Sequence, residues 1–325
     1  MSIWFSIGCL VLTASYPKVN LTVGYAVDPD WPQKPPEIAW RYMTGVAIDS
    51  EEQVWTLNAI DPPVQVYDKS GKLAKTWGDG LFKGPHYLRI DHEGNIWIAD
   101  YIRHVVRKFT PDGKLLLTLG TMDEPGDDET HLNRPTDMAI SPDGDVFVTD
   151  GYGNNRIVHY DAQGRFVKTW GKLGVETGDL SQPHSIAMDS QGRLYVAERN
   201  NARIQLFDQE GNSLAQWRHL INPWGIWISP QDEIYVCGSA PARWTERGNL
   251  GNPPTDQLLI KFDTTGRALE LSVFPMVQDG KMETGRLDWV HGIAVDPEGN
   301  LYLSDVADNS PAHRVQKFNR LPAER

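Results

Sequence analysis

The feature that most constrains this chain is an internal repeat that occurs six times. The segments Gly45–Leu57, Leu88–Asp100, Met138–Asp150, Ile186–Glu198, Ile226–Gly238 and Ile293–Asp305 share one pattern. Each is a short apolar run, a turn rich in Asp, Pro and Gly, and a second apolar run, which is a β-hairpin signal. A third run follows and ends in an aromatic, at Tyr67, Phe109, Tyr160, Phe207, Phe262 and Phe318. In five repeats a polar turn then carries a glycine (Gly71, Gly113, Gly164, Gly211 or Gly266), and a fourth run often closes on Trp, as at Trp77, Trp170 and Trp217. Four antiparallel strands repeated six times predict an all-β, six-bladed β-propeller. The last repeat stops after its third strand. An open strand edge invites non-native pairing, so Leu21–Val27 is expected to supply the missing strand and close the ring.

Repeats also explain why one domain can run to 325 residues. The net charge of −12 argues against a nucleic-acid partner, which would need a basic face. Cys9 and Cys237 are too isolated for a disulfide framework or for metal-ligand spacing. The apolar run Ile3–Ala14, followed by Ser15, reads as a leader or signal segment over residues 1–20, although no Lys or Arg precedes it. It is shorter than the roughly 20 residues a spanning helix needs, so no membrane span is expected. The reading is a secreted or periplasmic monomer, with one propeller over residues 21–325, that acts on a small-molecule or peptide substrate.

The residue two places before each hairpin segment (one place in the first, whose segment begins a residue early) enters the innermost strand of its blade. In order these residues are Thr44, His86, Thr136, His184, Trp224 and His291. Histidine therefore occupies blades two, four and six. Innermost strands line the channel of a propeller, and equivalent slots on alternate blades lie about 120° apart. Three imidazoles converging from those directions are what a three-histidine zinc site with an open fourth position requires.

Strand alternation puts the loop before strand one and the loop after strand two on the same face. The insertions Thr121–Arg134, Ser239–Gln257 and Pro275–Asp288 all fall there, as expected for the wall of a binding site. Tyr152 and Arg199 follow the second strands of blades three and four on that face. A tyrosine beside a divalent metal can act as a base, and an arginine can hold a carboxylate by two hydrogen bonds. Asp150 with Arg156, and Glu198 with Arg203, are expected to be structural ties within blade loops.

From about Gly45 to Phe318 the chain resembles NHL-repeat propellers, and more closely the peptidyl-α-hydroxyglycine α-amidating lyases and their bacterial relatives. The most specific stretches are Asn133–Asp137, Thr149–Arg156, Pro183–Ser185 and Ala197–Ile204. The resemblance implies a catalytic zinc on His86, His184 and His291, an active-site tyrosine at Tyr152 and one of two active-site arginines at Arg199. It also implies a metal-dependent carbon–nitrogen lyase that releases an amide and glyoxylate. The chain departs from the pattern at four places. Ala59 stands where the second arginine is expected, Trp289 where a Met precedes the last histidine, and Gly153 where a half-cystine follows the tyrosine. Gly292 replaces the Asp that helps bind a structural calcium, which puts calcium in doubt. The alternative is a non-catalytic NHL propeller that serves as a binding module or scaffold. A scaffold has no need of three alternating channel histidines.

Overall fold

In each blade the side chain at the start of the first turn organises the hairpin. Asp91 Oδ1 accepts the backbone N–H groups of Glu93 and Asn95 at 3.0 and 2.8 Å, and its Oδ2 accepts Trp97 Nε1 at 2.9 Å. Asp49 does the same with Glu51, Gln53 and Trp55. This Asx-type turn is why the repeat carries a polar residue at that position. The second turn is as specific. Gly113, Gly211 and Gly266 have φ of 84–85°, and a Cβ there would lie 2.8, 2.7 or 2.4 Å from Trp77, Trp170 or Trp217 of the preceding blade. Glycine serves twice, for the left-handed turn and for the space that the tryptophan fills.

These hairpins assemble into six four-stranded antiparallel sheets. The computed structural model describes residues 24–219, 221–239, 256–277, 283–306 and 314–322, and the leader expected over 1–20 lies outside them. The described residues form strands and turns without a helix, as an all-β six-bladed propeller. The innermost strands are Met43–Ile48, Pro85–Ile90, Asp137–Ile140, Pro183–Met188, Asn222–Ile228 and Val290–Val295. No helix among the described residues is long and apolar enough to cross a membrane.

The ring closes as expected. Strand Tyr25–Val27 pairs antiparallel with Val315–Arg320, with Tyr25 opposite Arg320 and Val27 opposite Phe318. The same segment supplies the sixth blade's tryptophan. Trp31 is buried, packs 4.9 Å from the Tyr302 ring and fills the space beside Gly71.

The apolar core consists of layers between neighbouring blades. Trp55, Leu57, Val64 and Val66 of blade one pack on Leu88, Ile96, Ile98 and Phe109 of blade two. Equivalent layers join each successive pair round to Tyr302 and Val315 against Met43, Val46 and Val54 across the seam. The second strands are buried end to end, because each is covered on both faces. The centre is therefore left to side chains at the inner strands' entrances.

Candidate metal centre and active-site pocket

His86, His184 and His291 meet on the channel axis. Their ring centroids form a nearly equilateral triangle with sides of 4.9, 4.7 and 4.8 Å. All three are buried. Each ring is fixed by the next blade. The Nδ1 atoms of His86, His184 and His291 lie 2.7 Å from the carbonyl oxygens of Thr136, Trp224 and Thr44, respectively. A carbonyl can only accept, so each Nδ1 carries the hydrogen, and each Nε2 lone pair is aimed at the axis. The odd-numbered slots thus orient the histidines of the even ones.

The residues present fit a metal ion. Burial holds His86 down to about 3, opposed by its bond to Thr136 and assisted by the nearby Arg199 charge. Burial also drives His184 and His291 well below the ordinary histidine range. All three are therefore neutral near pH 7, with acceptor Nε2 atoms. His291 Nε2 lies 3.3 Å from His86 Nε2. Two neutral acceptors face each other there with no hydrogen between them. The spacing is close to the roughly 3.3 Å of two nitrogens on a tetrahedral zinc with Zn–N near 2.0–2.1 Å. A cation would supply what this cluster lacks.

Tyr152 is the fourth member. Its hydroxyl oxygen lies 2.9 Å from Nε2 of both His86 and His184, and its single hydrogen can serve only one at a time. Burial raises the Tyr152 pKa, and the Arg199 charge opposes that shift. A role for Tyr152 as a base therefore requires a further positive charge at the cluster.

The blade ties position these groups. Arg156 Nε donates to Asp150 Oδ2 at 3.0 Å, and its terminal nitrogens reach the carbonyls of Asp127, Asp128 and His131 in the 121–134 insertion. Asp150 also accepts Asn133 N, and Tyr152 N donates to Arg134 O at 3.2 Å. Arg203 binds Glu198 and the carbonyls of Val175, Glu176 and Asp179. Arg199, one residue on, gives Nε and Nη2 to Gln182 Oε1 at 3.0 and 2.6 Å. Its guanidinium sits between the Trp224 ring at 4.5 Å and the Tyr152 ring at 5.6 Å. Gln182, Trp224 and Tyr101 form this setting, and the sequence assigned none of them a role. Gln182 directly precedes the Pro183-His184 slot, which is a usable signal in hindsight.

A cavity of about 580 Å³ opens beside the cluster. Its lining includes His86, His291, Tyr152, Tyr101, Trp224 and Ala59. Trp289 packs at a tilt against Trp224, with ring centroids 5.3 Å apart. Gly153 lies against Asn133, where a Cβ would come 2.3 Å from Asn133 Cγ.

A propeller with a buried three-histidine cluster at its axis and a pocket beside it is the kind of protein that fold and site define. The NHL repeat matches residues 132–160, 180–207 and 287–318. The chain is 36% identical over 320 residues to the mouse (Mus musculus) peptidyl-glycine alpha-amidating monooxygenase, covering 87% of this chain and 31% of that protein. It is 34% identical over 250 residues to a probable peptidyl-alpha-hydroxyglycine alpha-amidating lyase of Caenorhabditis elegans, covering 75% and 67%. Among solved structures, a streptogramin B lyase superposes with a TM-score of 0.58 at 16% identity, over 88% of this chain and 95% of that one, which shows the shared fold. The chain belongs to the peptidyl-α-hydroxyglycine α-amidating lyase family. It spans about a third of the length of the amidating monooxygenases it matches.

Proposed function

We propose that the protein is a zinc-dependent lyase that cleaves an N-acyl-α-hydroxyglycine into an amide and glyoxylate. The observation that carries this is the axial cluster, in which three neutral imidazoles point acceptor nitrogens at one place under a tyrosine hydroxyl. His86, His184 and His291 would hold the metal, which when bound supplies a Lewis acid that favours the ionised form of a substrate oxygen. Tyr152 takes the proton of the substrate's α-hydroxyl. The freed electron pair forms the aldehyde C=O, the C–N bond breaks, and the amide nitrogen receives the proton. Arg199, held by Gln182 and two aromatic faces, binds the substrate carboxylate.

Calcium does not fit this chain. Gly292 offers no carboxylate, and its N–H donates to Ser304 Oγ at 2.9 Å. Asp137, a buried carboxylate of the channel, is bound by Arg89 through Nε at 2.9 Å and through Nη2. Arg89 Nη2 also donates to Ser185 Oγ and to the carbonyls of Ile186 and Ile226. A guanidinium of the chain itself satisfies the polar groups of three other blades.

Metal content and product formation test the reading together. The wild type is expected to hold about one zinc per chain and release glyoxylate from N-acetyl-α-hydroxyglycine, while the His86→Ala/His184→Ala/His291→Ala variant does neither. Tyr152→Phe should keep the metal and lose roughly 10²–10⁴-fold in kcat. A folded wild type that takes up no metal when zinc is offered would refute the reading and favour a binding module.

A further inference from the structure

The six slot residues divide by role in a way the metal does not explain. Three hold the histidines. Thr136 is satisfied, since its Oγ1 lies within hydrogen-bonding distance of Thr149 O, Thr149 Oγ1 and Pro183 O. The other two are not. Thr44 Oγ1 and Trp224 Nε1 are buried, and neither has a hydrogen-bond partner. Their residues are 7% and 6% exposed, and both line the 580 Å³ cavity. A buried donor left unpaired is costly and uncommon in native proteins.

Their place in the ring gives them a purpose. Tyr152 covers the edge between His86 and His184. Thr44 and Trp224 occupy blades one and five, on either side of His291, which is the opposite edge. The cavity wall as a whole is cationic, with Arg41 at the entrance of blade one, Lys83 and Arg134 at those of blades two and three, and no carboxylate among its described lining residues. Lys83 is paired with Asp123. Arg41 makes no ion pair among the described residues. Its N–H bonds Asn58 Oδ1, and Tyr42 O accepts Ala59 N, so Arg41 stands beside Ala59. In a chain of net charge −12 such an acid-free wall selects anions.

We propose that Thr44 Oγ1 and Trp224 Nε1 are substrate-binding donors that hold the oxygens of a small anionic hydroxy acid against the His291 side of the centre. This rests on the lyase reading for the identity of the acid, but the donors themselves do not depend on it. Binding removes an unpaired-donor cost from the free protein, so the two groups discriminate for ligands with acceptors at both places.

The test uses Thr44→Val, which removes one donor and keeps shape, and Trp224→Phe, which removes the other donor and also trims the ring that faces Arg199, so Thr44→Val with its Thr44→Ser counterpart is the decisive pair. Both retain the backbone carbonyls that orient His291 and His184, so zinc content should stay at one equivalent. Each variant should raise KM for N-acetyl-α-hydroxyglycine roughly tenfold, with kcat within about threefold, as loss of uniform binding requires. Calorimetric titration with glyoxylate should show a matching weakening, and Thr44→Ser should restore wild-type affinity. Unchanged KM and glyoxylate affinity in both variants, with zinc content and melting temperature intact, would overturn the proposal. A wild type that turns over no hydroxyglycine yet loses glyoxylate affinity on both substitutions would support the donors and refute the lyase reading.

Discussion

Arg203→Met isolates what the blade ties contribute. Arg203 and Glu198 side chains are 2% and 0% exposed, and they bond through Nε–Oε1 at 2.5 Å and Nη2–Oε2 at 3.2 Å. Removing the guanidinium leaves Glu198 with neutral donors only, from Ser181 N, Asn201 Nδ2 and Gln205 Nε2. Breaking a buried pair at one partner costs about 3–5 kcal/mol, because a charge stays buried without its counter-ion. At roughly 2 °C per kcal/mol for a domain of this size, the melting temperature should fall by about 6–10 °C. Burial already raises the Glu198 pKa, with Arg203 opposing, so the variant raises it further. A carboxyl whose folded pKa lies above its unfolded value binds more protons when folded, so stability is lost as pH rises through the folded value. The penalty should therefore be smaller at pH 5 than at pH 8. Glu198→Gln added to Arg203→Met removes the charge and should recover about half of the loss or more. Thermal melts at both pH values are the assay. A drop under about 2 °C, or one independent of pH, would refute the reasoning.

Three further outcomes are expected. Because Arg89 satisfies the channel groups, the wild-type melting temperature should not move with added calcium, whereas Arg89→Met, which strands buried Asp137, should lose about 3–5 kcal/mol in the same melts. Trp31→Ala empties the space beside Gly71 and Tyr302 and should cost about 3–5 kcal/mol, read by denaturant unfolding.

The repeat made the blades, their order and the closing strand legible, because each blade buries the same faces and so needs the same residue types at the same offsets. The histidines were legible for the same reason, since one slot recurs six times and a departure from it stands out. What stayed hidden depends on contacts between distant positions. Arg89 reads as an exposed residue in an alternating strand, yet its partners lie 48 to 137 residues further on. Trp31 falls outside the period because a Pro-containing turn separates it from its strand, so the repeat does not mark it as the counterpart of Trp77, Trp170 and Trp217. Thr44 and Trp224 were seen only as the slots without histidine. Whether a hydroxyl or indole N–H is paired is a property of three-dimensional neighbours that no spacing encodes.

The centre also depends on the ring as a whole. Each histidine of an even blade is oriented by a carbonyl of the blade that follows, so no blade or pair of blades contains the site. The last of these bonds, His291 Nδ1 to Thr44 O, joins residues 247 apart and crosses the seam. That seam is held by Tyr25–Val27 on Val315–Arg320 and by Trp31 against Tyr302. A loosened seam would turn one imidazole out of three, and a tetrahedral metal site tolerates little misdirection of a ligand. The closing strand therefore helps to hold the three-histidine cluster in register as well as the fold, although it contributes no histidine.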